Sequence, residues 1–169
     1  MVIETNSDGT ATRGASFDLE QLEDAFDVLD QWYGESIDAG RRSVIDLLRR
    51  SRAAEDSGDI KTLGETYSSD LTVVDNRVVG LGSLDFEGWV ECLSATSPVM
   101  GERRTCLPRF HRLTDQGIVA EFRGTNPTGF EWRFITISIV DEGQISHAEL
   151  FELDDLDAAL VRFDELTAD

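Results

Sequence analysis

The feature that most constrains this chain is a run of four strand candidates at 103–114, 117–124, 129–140 and 144–151. They are long, rich in β-branched and aromatic residues, and parted by connections as short as Asp141–Glu142–Gly143. Strands joined this tightly pair as antiparallel neighbours. The Asn126–Pro127–Thr128–Gly129 turn suggests a register that sets Glu121 opposite Arg133 and Arg123 opposite Glu131. The same register puts Phe122 against Trp132 and Ala120 against Phe134 on the other face. A one-residue slip would lose both sets at once.

Before this meander the apolar spacing changes to a helical period. Val44, Ile45, Leu47 and Leu48 predict a helix over 41–56, ended by Gly58. Asp59 can cap a second helix with Ile60, Leu63 and Tyr67 inward. LTVVDNRVVG at 71–80 reads as a strand and turn, with Asp70 as a cap or turn residue before it. Ser83 can cap a third helix through 95, with Phe86, Trp89, Val90 and Leu93 on one side, and a last helix begins near Asp154. Helices segregated against one curved antiparallel sheet make an α+β cone with a cavity between them.

Charge marks the ends. The chain carries 15 basic and 34 acidic residues, a net charge of −19. Residues 1–40 and 141–169 hold −9 each, and the hundred residues between them −1. Such a surface repels phosphate backbones and anionic lipid, so neither nucleic acid nor membrane is an expected partner. No apolar run approaches the roughly 20 residues needed to span a bilayer, and the start lacks a signal-peptide pattern, so a cytoplasmic location is expected. A hydrophobic content of 40% is enough for a core. Lys61 is the single lysine, a bias that fits a GC-rich or a salt-tolerant source. Cys92 and Cys106 read as buried thiols, without metal spacing.

The acidic ends are alike. FDLEQLEDAFDVLDQW at 17–32 and FELDDLDAALVRFDEL at 151–166 align at an offset of 134. Each carries one apolar stripe, Leu19, Leu22, Phe26 and Leu29 in the first and Leu153, Leu156, Leu160 and Phe163 in the second. Asp18 with Gln21 suits a capping pair. Two readings stand: unrelated amphipathic helices, or a tandem repeat whose first copy ends at residues 17–33. The expected organisation is a disordered tail over 1–16, a helix and linker over 17–40, and one domain over 41–169. Arg103, Arg104, Arg109 and Arg112 form the one basic cluster, either a charged strand edge or a dock for an acidic helix.

With GDI at 58–60 and YSSDLTVVDNRVVG at 67–80, this order of elements resembles the SnoaL-like domains of the nuclear transport factor 2-like superfamily. Its relatives include polyketide cyclases and ketosteroid isomerase. The likeness covers about 41–151 plus the terminal helix. The ending DEGQISHAELFELDDLDAALVRFDEL is similar to SnoaL-like tails in actinobacterial multidomain proteins, which implies tandem attachment to other modules. The resemblance implies a cystatin-like cone and places Asp75 at the general-base position, with Asn76 where a proline would be. The first oxyanion donor, a tyrosine in the isomerase, corresponds to Ser51. The second would be a protonated carboxylic acid; Glu121 is near, but pairing with Arg133 would keep it ionised. Steroid isomerisation is therefore not expected.

Asp75 can serve as base or acceptor at the cavity, or as a structural group taking amides and Arg77 where the strand turns. Tyr67, Trp89, Phe122 and Trp132 are candidate pocket aromatics. His111 and His147 are either structural or general acid–base groups lining the cone. No metal spacing exists, and no cofactor is expected. Ile135, Ile137 and Ile139 alternate on one strand face and predict an apolar convex patch, hence a homodimer. The leading expectation is a non-catalytic module that binds a small apolar ligand or dimerises. The alternative is a small isomerase or cyclase with Asp75 as base.

Overall fold

The computed structural model describes residues 1–18 and 21–168. Among them, β1 (Val2–Thr5) and β2 (Ala11–Ala15) pair antiparallel as a separate hairpin. This replaces the disordered tail expected there, because Asn6 and Asp8 close the turn by accepting from the Thr10 amide at 2.9 Å each. Three helices follow, α1 (Leu22–Ser36), α2 (Ala39–Ser57) and α3 (Ile60–Thr66). Next come β3 (Tyr67–Asp75), β4 (Gly82–Leu84) and α4 (Phe86–Met100). The meander is β5 (Arg104–Leu113), β6 (Gly117–Thr125), β7 (Glu131–Asp141) and β8 (Gln144–Phe151). A 3₁₀ turn at 153–155 leads into α5 (Leu156–Leu166).

The local signals have visible causes. Asp38 caps α2 by accepting from Arg41 N–H at 3.1 Å, and Gly58 ends it in the left-handed conformation at φ 70°. Asp59 caps α3 through Thr62. The cap of α4 is Asp85, which takes the Gly88 amide at 2.9 Å; the expected Ser83 lies in β4 instead. Tyr67 opens β3, and Asp70 lies exposed within that strand rather than before it. Asp18 N–H donates to Gln21 Oε1 at 3.1 Å, one half of the expected capping pair. Leu19 and the Leu22 side chain lie outside the described residues.

The six-stranded sheet runs β4-β3-β8-β7-β6-β5. All neighbours are antiparallel except β3 and β8, which are parallel, so the sheet is mixed rather than wholly antiparallel. The β6–β7 register is two residues from the expected one: Phe122 faces Phe134, Arg123 faces Arg133 and Thr125 faces Glu131. The loop is wider because Asn126 Oδ1 takes the amides of both Thr128 and Phe130, each at 3.1 Å. A two-residue shift leaves every side chain on its expected face. The ion pairs Glu121–Arg133 at 2.9 Å and Arg123–Glu131 at 3.0 Å therefore form, but diagonally.

Both faces of the sheet are covered. Helices α2, α3 and α4 close one face over a core that includes Leu48, Leu63, Leu71, Leu93 and Ile118. The other face carries α5, whose Ala159 and Phe163 pack on Val119, Ile135 and Ile137. The stripe expected as an exposed dimer patch is thus covered within the chain: Ile135 and Ile137 are fully buried. Helix α1 packs beside α2 and β5. Its Asp30 reaches Arg52 at 3.1 Å, while Arg112 is taken at 3.3 Å by Asp164 of α5. No helix among the described residues is long and apolar enough to cross a membrane.

Candidate active site

Between the sheet and the helical layer lies a cavity of about 290 Å³. Its walls are mostly apolar, with Leu93, Leu107, Ile118, Phe134 and Leu150 among them. Of the aromatic residues expected there, Tyr67, Trp89, Phe122 and Trp132 all line it. Phe122 and Phe134 stack with centroids 4.5 Å apart and planes 9° from parallel. Trp132 lies flat over Gly124, where a Cβ would come within 2.1 Å of the indole. Only glycine opposite it lets the ring close the sheet end of the cavity.

The polar centre of this cavity is Glu55, a residue the sequence pattern alone does not single out. The inward stripe of α2 runs through 44, 48, 51 and 55 in helical steps, so Ser51 and Glu55 continue the buried side set by Val44 and Leu48. A charged residue on an otherwise apolar stripe is the one signal that could have found it. The Glu55 carboxyl accepts the Tyr67 O–H at 2.5 Å. Ser51 Oγ lies beside the Tyr67 hydroxyl and itself donates to Leu48 C=O at 3.1 Å. The Trp89 indole N–H faces the same carboxylate but closes no hydrogen bond. Burial pushes Glu55 up from 4.5 to about 7, with Tyr67 and Arg103 opposing and the neighbouring Asp56 reinforcing it. Tyr67 is held well above its ordinary value, first by burial and then by the Glu55 charge, so it remains a donor. A tyrosine hydroxyl therefore does stand near position 51, supplied from β3 rather than from α2.

Asp75 takes the other of its two expected roles. It does not line the cavity. Its carboxylate receives Arg77 Nε at 2.8 Å, Arg77 Nη2 at 2.7 Å and the Leu81 amide at 3.0 Å. Burial alone would raise its pKa, but these bonds outweigh burial and hold it below the usual range. The turn after β3 wraps Asp75 so closely that a Cβ on Gly80 would come within 2.7 Å of its backbone carbonyl oxygen and 3.1 Å of its carboxyl carbon. The residue that reaches the cavity is Arg77, whose guanidinium sits 4.8 Å over the Phe134 ring.

Neither histidine lines the cavity. His111 Nε2 is 3.5 Å from Glu121, which also pairs with Arg133 on the α5 side of the sheet. His147 Nε2 lies 2.8 Å from Glu149, a buried carboxylate that also receives Arg162 of α5 at 2.8 Å and Asn76 at 3.1 Å. Both rings share that side with Arg109 and Glu149, and bulges in β5 and at the β7–β8 pairing send their other alternate neighbours, Leu113 and Ile145, to the opposite face. Cys92 is only partly buried and lines the cavity, whereas Cys106 is fully buried. Among the described residues no three His, Cys, Asp or Glu side chains gather as a metal site.

No protein-family model and no curated protein matches the chain. Solved structures do. IdmH of Streptomyces antibioticus, a proposed polyketide cyclase, superposes with a TM-score of 0.55 at 19% identity, over 69% of this chain and 96% of its own. A cystatin-fold protein of Novosphingobium aromaticivorans gives 0.52 at 11% identity, over 63% and 96%. A proposed isomerase of the SnoaL-like family from Agrobacterium tumefaciens gives 0.50 at 14% identity, over 64% and 97%. The fold is a cystatin-like α+β cone, as in these structures. At these identities the likeness carries the architecture and leaves the chemistry to the residues. In this cone the buried, near-neutral carboxyl stands on the long helix, at Glu55, and the first-strand aspartate is a structural clamp.

Proposed function

We propose that the cavity binds a small, mostly apolar carbonyl compound and that Glu55 moves a proton on it, as in an isomerase or cyclase. The carrying observation is a buried carboxyl with its pKa near neutrality, hydrogen-bonded to Tyr67 inside an apolar cavity. General acid–base groups work best when their pKa lies near the working pH. As a base, Glu55 would take the proton from the carbon beside the carbonyl, and the C–H electron pair would pass into the enolate oxygen. As the resulting acid, it would return that proton to a different carbon or oxygen. Tyr67 fixes the carboxyl by its O–H and itself stays neutral. Asp75, the base that the resemblance implied, is left out of this role because its acceptor capacity is taken by Arg77 and backbone amides.

A direct test is deuterium exchange at the α-carbon of 2-tetralone, followed by NMR. The wild-type protein is expected to accelerate exchange above buffer, and Glu55→Gln to abolish the acceleration while 2-tetralone still binds. Exchange that survives Glu55→Gln would overturn the assignment. Binding without exchange in either protein would support instead the non-catalytic ligand-binding module expected from the residues.

A further inference from the structure

Three of the fifteen basic residues of this −19 chain, Arg52, Arg77 and Arg103, line the apolar cavity described above. Their engagements differ. Arg52 is neutralised in place by Asp30 at 3.1 Å. Arg77 gives Nε and Nη2 to Asp75, a bidentate grip that fixes the plane of the guanidinium and leaves Nη1 without a protein acceptor among the described residues. Arg103 makes a single hydrogen bond among them, from Nη2 to the Glu55 carbonyl; no described carboxylate comes within ion-pair distance of it, although Glu55 and Asp56 are near enough to feel its charge. Two guanidiniums with spare donors therefore border the same space from different parts of the chain, one on the turn after β3 and one just before β5. Both act electrostatically on the thiol of Cys92, which lines the same cavity. Arginine forks with unused donors, in a cavity whose lining is mostly aromatic and aliphatic with the carboxylates of Glu55 and Asp56 also on its wall, suit an oxyanion attached to an apolar body.

We propose that Arg77 and Arg103 form an anion subsite, so that the cavity selects apolar ligands carrying an anionic oxygen. Asp75 is then a positioning residue, acting through Arg77. This deepens the ligand reading above and rests on it, since the same subsite would hold the enolate oxygen formed when Glu55 takes its proton.

The test uses two fluorescent probes with the same aromatic skeleton, 8-anilinonaphthalene-1-sulfonate and its neutral counterpart N-phenyl-1-naphthylamine. The sulfonate is expected to bind one-to-one and at least about tenfold more tightly than the neutral probe. Arg103→Gln is expected to remove most of that preference while leaving the affinity for N-phenyl-1-naphthylamine unchanged, and Arg103→Lys to restore part of it. Arg77→Gln is expected to act likewise, with far-UV circular dichroism checking the turn; Arg103 carries the test if that variant misfolds. Equal affinity for the two probes, or a preference that survives Arg103→Gln, overturns the anion subsite and leaves the cavity reading intact. Failure of both probes to bind the wild-type protein overturns the cavity reading and this inference together.

Discussion

Glu55 stands under two opposed influences. Burial in an apolar wall favours its neutral form, while Tyr67 and Arg103 favour the charged one; Ser51, Trp89 and Asp56 complete its surroundings. Burial prevails, so the folded protein holds this proton to about 7 where the unfolded chain releases it near 4.5. A folded-state pKa above the unfolded one contributes stability that is full below pH 4.5 and is lost as pH rises through 7. At 8% exposure, a shift of this size corresponds to about 3 kcal/mol. Unfolding in urea at pH 5 and at pH 8 is expected to show the wild type losing more stability than Glu55→Gln by roughly this order, since Asp30, raised to about 6, and Asp56, also raised, weaken both proteins over that range. Asp75 and Glu149 are held below their ordinary values, so their contributions fade only at lower pH, as it falls through their folded-state values. They are common to both proteins and drop out of the difference. A Glu55→Gln variant with the same pH slope as the wild type would show that the carboxyl is already ionised when folded.

At the scale of elements, α5 is the piece whose removal matters most to the sheet. Phe163 is 1% exposed and sits on Val119, Ile135 and Ile137. Phe163→Ala is expected to cost about 3–5 kcal/mol in denaturant unfolding, because the cavity it leaves lies between two rigid layers. A loss below about 1 kcal/mol would mean that α5 is held from elsewhere. The same helix explains what could and could not be read from the residues alone. The strands of the meander are legible because each is a run of β-branched residues bounded by turn chemistry, and the cone follows from their order. Its second cover is not, because alternating isoleucines look the same beneath a helix of their own chain as beneath a partner. The β6–β7 register escapes for a smaller reason. Asn126 widens the loop through side-chain acceptance, a choice that Asn–Pro–Thr–Gly leaves open. In the site, the aromatic wall is readable from residue type, whereas Glu55 is hidden among many acidic residues and distinguished only by its phase on α2. Simple alternation groups His111 with Leu113 and His147 with Ile145, and bulges that leave no mark in the pattern part both pairs.

For the whole molecule, charge has the widest reach. The net −19 is concentrated in the first 40 and last 29 residues, which contribute α1 and α5 to opposite sides of the fold. Self-repulsion of this kind weakens the compact state and is screened by salt over distances of about 3–10 Å. Raising sodium chloride from about 20 mM to about 500 mM is expected to raise the melting temperature by several degrees. An unchanged or lower value would show that ion pairs such as Asp164–Arg112 outweigh the repulsion. The parallel seam between β3 and β8 carries a different consequence. Residues 39–100 and 104–151 each build mostly from near neighbours in sequence, yet Tyr67 meets Ile145 and Val73 meets Ala148 across more than seventy residues. Contacts of such separation close late, since the chain entropy they cost comes before any return. The cavity lies between these two halves and has no wall until they dock. The site is thus expected to form late in folding, and a ligand that occupies it to slow unfolding far more than it speeds folding.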